Sequence, residues 1–414
     1  MSAADSQALG RRAEAMLTEL GAISAEPRRR VRLYLSPEHR RAADLVTRWM
    51  RDAGMSVSED ALGTVKGRYG EGRRLLIGSH VDTVIDAGRY DGPLGVVAGI
   101  LAVEHFAKAK RKLPFGIDVL AFGDEEGSRF PATLTSSSAC AGVFDRATLT
   151  LADANSVTIA DALKAYGKNP ADIPAAAYRP GEAAGYVEVH IEQGPVLEAK
   201  NQPLGVVTGI VGQSRIRVTV TGEAGHAGTV PMGLRHDALA GAAEMALALE
   251  RIAKEHPDDG MVGTVGRIEA KPGAVNIIPA TVTFTIDLRS LTDDLRAGAL
   301  QKFETEAKRI AGTRGLFFAM EPFHEIATAH CAPHLQDGLA AAIGALGHTV
   351  VRLPSGAGHD AQMMTRLCPS AMLFVRCRGG ISHNPAEFAN VADMGLAIAA
   401  LIRFIETFDP GKSA

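Results

Sequence analysis

Paired cysteines are missing from this chain. Its four cysteines, Cys140, Cys331, Cys368 and Cys377, lie far apart and form no C-x-x-C pair, which argues against a thiolate zinc site and fits a reducing compartment. An excess of either charge is also missing. The 44 basic and 47 acidic residues mix along the chain to a formal −3, so neither a nucleic-acid nor an anionic-membrane surface is expected. The short run Arg28, Arg29, Arg30 reads as a solvated face. No apolar stretch reaches transmembrane length, and "MSAADSQALGRRAEAMLTELG" has no apolar signal core, so a cytoplasmic protein is expected. Repeats and low-complexity tracts are absent. What remains is 414 residues, 46% hydrophobic and with 44 glycines, enough for a large core and two domains.

Apolar runs with strand character alternate with helical spacing. "RRLLIGSHVDTV", "GIDVLAFGDEE", "GYVEVHIEQG" and "SAMLFVRC" are strand candidates, while "VVAGILAVEHFAKAKRK" and "VADMGLAIAALIRFIETF" carry helical periodicity. This predicts an α/β fold with a mostly parallel central sheet and flanking helices. The middle differs: "RIRVTVTGEAG" and "ATVTFTIDLRS" alternate with period two around the helix-like "HDALAGAAEMALALERIAKEH". A smaller α+β domain is therefore expected over residues 213–328, inserted into a discontinuous domain of residues 1–212 and 329–414.

"DVLAFGDEEGSRF" ends an apolar run with Asp124, Glu125 and Glu126, and no Lys or Arg follows until Arg129. Val119 to Phe122 read as a strand buried on both faces, so the acids emerge at a strand's carboxyl end, where ligands bind in open α/β sheets. Such a cluster needs a cation, a protonated carboxyl, or both. Histidines and acids at other strand ends or glycine-rich loops supply candidates: His80 with Asp82 two residues on, Asp91 in "GRYDGPLG", His190 closing "GYVEVH", and His383 in "GGISHNPAEF". Any one alone is more simply a hydrogen-bonded or surface residue. Together, at one sheet edge, they form a mixed N/O donor set suited to divalent Zn, Mn, Co or Ni, and to two ions better than one.

The segments "GSHVDTV", "GRYDGPLGV", "DEEGSRF", "HIEQGPVLE", "GHAGTVPM", "NIIPATVTFTIDLRS", "SGAGHDAQMM" and "GGISHNPAE" resemble the amidase/hydantoinase-carbamoylase branch of the M20 metallopeptidase superfamily. That branch contains allantoate amidohydrolases, N-carbamoyl-L-amino acid hydrolases and β-ureidopropionases. The likeness spans nearly the whole chain in the family's order. It implies that His80, Asp91 and His190 hold one metal and Asp91, Glu126 and His383 the other, with Asp91 bridging. Glu125 would be the general acid/base, and Asp82 would orient His80 from behind. It also implies a homodimer whose inserted domain serves dimerisation and covers the site, with His226 entering the partner's site to stabilise the oxyanion. His190 stands where the peptidase branches typically carry an acid, which favours the amidohydrolases.

With the resemblance, substrate contacts are expected from Arg289, whose planar fork suits a carboxylate but which taken alone reads as a surface ion pair, from Gln193 toward a ureido group, from Asn276 as a buried amide or else a turn cap, and from Gln213. Gly356 and Gly358 would let backbone approach the ligand, whereas His359 and Asp360 read as a structural pair. One departure stands out: where the family often has a Gly-Ser-Arg/Lys element, this chain reads "TLTSSSACAG".

The expected activity is hydrolysis of a ureido or N-carbamoyl C–N bond by two divalent ions, releasing ammonia and carbon dioxide. Allantoate is the first substrate, N-carbamoyl amino acids the second. An M20 aminoacylase or peptidase is the rival within the fold; a non-catalytic metal-dependent binding protein is the rival outside it, though a binder has no use for Glu125 as a proton carrier.

Overall fold

The computed structural model describes residues 3–256 and 260–413. The chain divides into two compact units, one made of residues 1–208 and 330–414 and the other of residues 209–329. These boundaries stand a few residues from the 212/213 and 328/329 junctions expected above.

The first unit is built on a nine-stranded sheet. At its centre the strands Gly116–Phe122, Arg74–His80, Ala183–Ile191 and Ser370–Val375 run parallel, side by side in that order. Antiparallel neighbours flank them: Val65–Tyr69 beside the first and Leu204–Ile210 beside the last. All four central strands are buried along their whole length, which explains why apolar residues dominate both of their faces. A strand covered on both faces has no polar side to alternate with.

The covering helices include Pro93–Lys108 and Val391–Thr407. Pro93 opens the first with its ring already at a helical φ. The Asn390 side chain caps the second by accepting from the Ala392 amide at 2.8 Å. Because the central strands are parallel, their carboxyl ends share one edge. His80, Phe122 with the acids behind it, His190 and the chain leaving Val375 all emerge there.

The second unit carries a four-stranded antiparallel sheet in the order Phe317–Ile326, Gly212–Thr221, Thr281–Ser290, Val262–Lys271. Val282, Phe284, Ile286 and Leu288 point into its core, alternating with half-buried residues. Helices Ala238–Ala253 and Asp293–Arg314 contribute to the same core. The period-two pattern records a sheet with one covered face. No helix among the described residues is long and apolar enough to cross a membrane.

Candidate metal centre

His80 is the last residue of its strand and is buried. Its Nδ1 lies 3.2 Å from the Asp82 carbonyl and 3.3 Å from Asp82 Oδ1. Both neighbours are acceptors, so Nδ1 carries the proton and Nε2 keeps its lone pair. Asp82 does more than orient this ring. Its two carboxylate oxygens accept the backbone amides of Glu125 and Glu126, each at 3.2 Å. One buried acid thus fixes both the histidine and the loop bearing the two glutamates.

Asp91 sits between two donor sets. Its Oδ1 is 3.9 Å from His80 Nε2 and 3.2 Å from His190 Nε2, while Oδ2 is 3.2 Å from His383 Nε2. His383 Nε2 is in turn 3.5 Å from Glu126 Oε2. The groups His80/Asp91/His190 and Asp91/Glu126/His383 each have ligand atoms within 4.8 Å of one another. His190 makes the strongest test of fit. Its Nδ1 lies 2.9 Å from the Ile191 carbonyl and so is the protonated nitrogen, leaving a buried Nε2 with no hydrogen bond. That lone pair faces a carboxylate oxygen at 3.2 Å, an arrangement that a divalent cation between them, or a second proton on the ring, relieves. Ligand atoms about 2.0–2.2 Å from one divalent ion lie roughly 3 Å apart, so this pair fits such an ion.

Gly92 permits the close packing of this loop. Its φ of 84° suits glycine, and a Cβ there would lie 2.5 Å from the His80 ring. Gln193 and His383 hold left-handed backbone, at φ 55° and 54°, without being glycine. Strain of this kind persists where surrounding structure enforces it. Gln193 Nε2 donates to Asp91 Oδ2 at 2.9 Å, and its Oε1 is buried with no partner.

Glu125 Oε2 lies 3.9 Å from His80 Nε2. Burial holds its pKa well above the ordinary value; His80 opposes this, while Glu126, Asp360 and Asp82 add repulsion. Burial likewise raises Glu126 to about 7, with Asp91 adding to the shift and His80 and His383 opposing it. Asp91 resists the trend: burial disfavours its charge, yet the imidazoles of His190 and His383 beside it hold its pKa well below the usual range. Asp124 turns away from the donor sets. Its oxygens accept the Thr135 amide at 3.1 Å, the Ser136 amide at 3.0 Å and the hydroxyls of both residues. The departure "TLTSSSACAG" therefore supplies donors to the base of the acidic loop.

The His359 ring packs 4.4 Å from His190, centroid to centroid, and Glu188, His190 and His359 form a further buried group. Arg32, which sequence reasoning missed, is fully buried, bonding the Val81, Leu20 and Ile23 carbonyls. Burial lowers its pKa to about 10, and Asp82 opposes that. Arg32 follows the run Arg28 to Arg30 by two residues, and a basic segment of that kind reads as a solvated face and gives no sign of such a position. A Cβ on Gly358 would come 3.8 Å from Glu125 Oε1; Gly356 carries no such contact.

In the other unit, Arg289 Nε and Nη2 bond the Asp287 oxygens at 2.9 and 3.0 Å. Gln213 Nε2 donates to the same carboxylate at 3.0 and 2.8 Å. Asn276 is exposed, which corrects the expectation of a buried amide. Its apolar neighbours mislead because the segment is a loop leading into the short strand Ile277–Ile278, outside the unit's core. His226 is exposed beside it, paired in register with Ile277. His226 Nδ1 accepts the Gly228 amide at 3.0 Å, so Nε2 carries the proton.

Residues 76–407 match the Peptidase family M20/M25/M40 profile. The chain belongs to this family. Among M20 relatives, an Arabidopsis thaliana protein named allantoate deiminase is 42% identical, the match covering 95% of this chain and 82% of that one. An N-carbamoyl-L-amino acid amidohydrolase of Geobacillus stearothermophilus is 39% identical over 97% of this chain and 99% of its own. The crystal structure of an amidase of the hydantoinase/carbamoylase family from Burkholderia multivorans superposes with TM-score 0.89 at 32% identity, covering 96% of this chain and 97% of the other. The M20 fold thus accounts for the mixed sheet.

Proposed function

We propose that this M20 chain is a dinuclear amidohydrolase that cleaves a ureido or N-carbamoyl C–N bond, with allantoate as its first substrate and N-carbamoyl-L-amino acids as the second. The carrying observation is the placement of Asp91 between two donor sets with Glu125 alongside. His80, Asp91 and His190 would hold one divalent ion, and Asp91, Glu126 and His383 the other. Two such ions supply Lewis acidity and a water acidified toward neutrality. Glu125, outside both proposed ligand sets, takes a proton from the attacking water and returns it to the leaving nitrogen. The balance is one ureido group plus one water giving an amine, ammonia and carbon dioxide.

The buried, unpartnered Oε1 of Gln193 suits an N–H donor such as a ureido nitrogen. Arg289 is read as the carboxylate anchor, its guanidinium held in orientation by Asp287, with Gln213 and Asn276 as further ligand contacts. A second copy of the chain would supply the Nε2–H of His226 to the oxyanion, a contribution of about 3 kcal/mol by analogy with single donors of this kind. A catalytically active monomer would contradict that shared site.

The deciding experiment uses enzyme reconstituted with Mn²⁺, Zn²⁺, Co²⁺ or Ni²⁺ and reads ammonia release from the ureido compounds and free amino acid release from the peptide and N-acyl compounds, whose hydrolysis yields no ammonia. The panel comprises allantoate, N-carbamoyl amino acids, N-carbamoyl-β-alanine, ureidoglycolate, a dipeptide and an N-acetyl amino acid. Turnover of the ureido compounds is expected; turnover confined to the last two would move the chain to the peptidase or acylase activities. Arg289→Lys should raise KM about tenfold or more with a smaller change in kcat, because the planar fork is lost. An unchanged KM would leave Arg289 a purely structural partner of Asp287.

A further inference from the structure

Glu387 closes the "SHNPAE" stretch and has no part in either donor set, yet it is buried beside them. Its Oε1 accepts the backbone amides of Tyr90 at 2.8 Å and Asp91 at 3.2 Å. Its Oε2 is 3.0 Å from Ser382 Oγ, which lies 2.8 Å from Asp91 Oδ2. The path therefore runs from the backbone of the Asp91 loop, through Glu387 and Ser382, to the Asp91 carboxylate itself. Ser382 has one proton for two acid neighbours, so it donates to one at a time. Packing closes the arrangement: a Cβ on Gly88 would overlap the Glu387 carboxyl at 2.0 Å.

We infer that Glu387 is a positioning residue that clamps the loop bearing Asp91 to the loop bearing His383. The two loops are almost 300 positions apart in sequence (297 between Tyr90 and Glu387), and each brings a donor to the Asp91/Glu126/His383 group. Without the clamp, Asp91 Oδ2 and His383 Nε2 keep their chemistry but lose the shared reference that sets their 3.2 Å separation. Loss of partners that orient metal ligands from behind typically costs about 10–100-fold in metal affinity.

This inference rests on the metal reading above, and the test separates the two. Zn²⁺ or Mn²⁺ is titrated into metal-stripped full-length protein by calorimetry, with bound metal counted after dialysis. Unfolding temperatures of the metal-free forms are recorded in parallel. Wild type taking up no ion would sink the metal reading itself. Given uptake by wild type, Glu387→Ala should weaken the Asp91/Glu126/His383 ion about 10–100-fold while unfolding without metal at nearly the wild-type temperature. Glu387→Gln, which keeps an oxygen for the Tyr90 and Asp91 amides, should recover most of the affinity. Should Glu387→Ala fail to fold, Ser382→Ala carries the test, with several-fold weaker binding of the same ion expected. Glu387→Ala binding metal within twofold of wild type, Glu387→Gln binding as poorly as Glu387→Ala, or Ser382→Ala leaving affinity unchanged would each overturn the clamp.

Discussion

Replacing Glu125 by glutamine is expected to lower kcat by about 10²–10⁴-fold, the usual span for a general acid/base, while bound metal stays at the wild-type level. Glutamine keeps the size of the side chain and one oxygen but cannot carry a proton between water and nitrogen. The surroundings explain why the loss should fall on the chemical step. Glu125 is only partly exposed, its charge disfavoured, and its backbone is pinned to Asp82 at 3.2 Å, so the variant has little reason to shift. Ammonia release from allantoate, measured beside metal content, reads both quantities. Because His80, Glu125 and Glu126 also form a close group, a competing assignment makes Glu125 a ligand. Turnover and one ion lost together would favour that assignment, and unchanged turnover would remove Glu125 from the mechanism.

The second large effect is expected from Asp91→Ala. Its two oxygens face different partners, Oδ1 toward His190 and His80 and Oδ2 toward His383. Removing the side chain should therefore cost both ions and reduce turnover to background, a loss at least as large as that of Glu125→Gln. His383→Ala, which touches only one donor set, should cost one ion. Metal analysis after dialysis distinguishes them. Two ions retained by Asp91→Ala would end the bridging assignment, and one retained ion would show that each set stands alone.

The legible part of this protein is the part whose signal is local. Unbroken apolar runs such as Val119–Phe122 revealed fully buried strands, because burial on both faces leaves a direct record in residue type. Period-two alternation in "ATVTFTIDLRS" revealed a sheet covered on one face for the same reason. Histidines and acids placed just after strands could be assembled into a candidate site because parallel strands bring their carboxyl ends to one edge. Asn276 was misread, since an apolar neighbourhood in sequence does not say whether a segment enters a core. Arg32 and Glu387 went unassigned because their meaning lies in partners far along the chain, at Val81 and at Tyr90 and Asp91.

By itself the sequence determined the alternation of buried strands and helices, the inserted segment with its half-covered sheet, and which histidines and acids stand just after strands or in glycine-rich loops. These follow from side-chain chemistry and spacing along one stretch of chain. Only the tertiary structure decided which oxygen of Asp91 meets which histidine, that Asp82 holds the backbone of both glutamates, and that Asp124 is turned onto Thr135 and Ser136. Those outcomes depend on hydrogen bonds and lone-pair directions among loops that only the folded sheet brings within a few ångströms of one another.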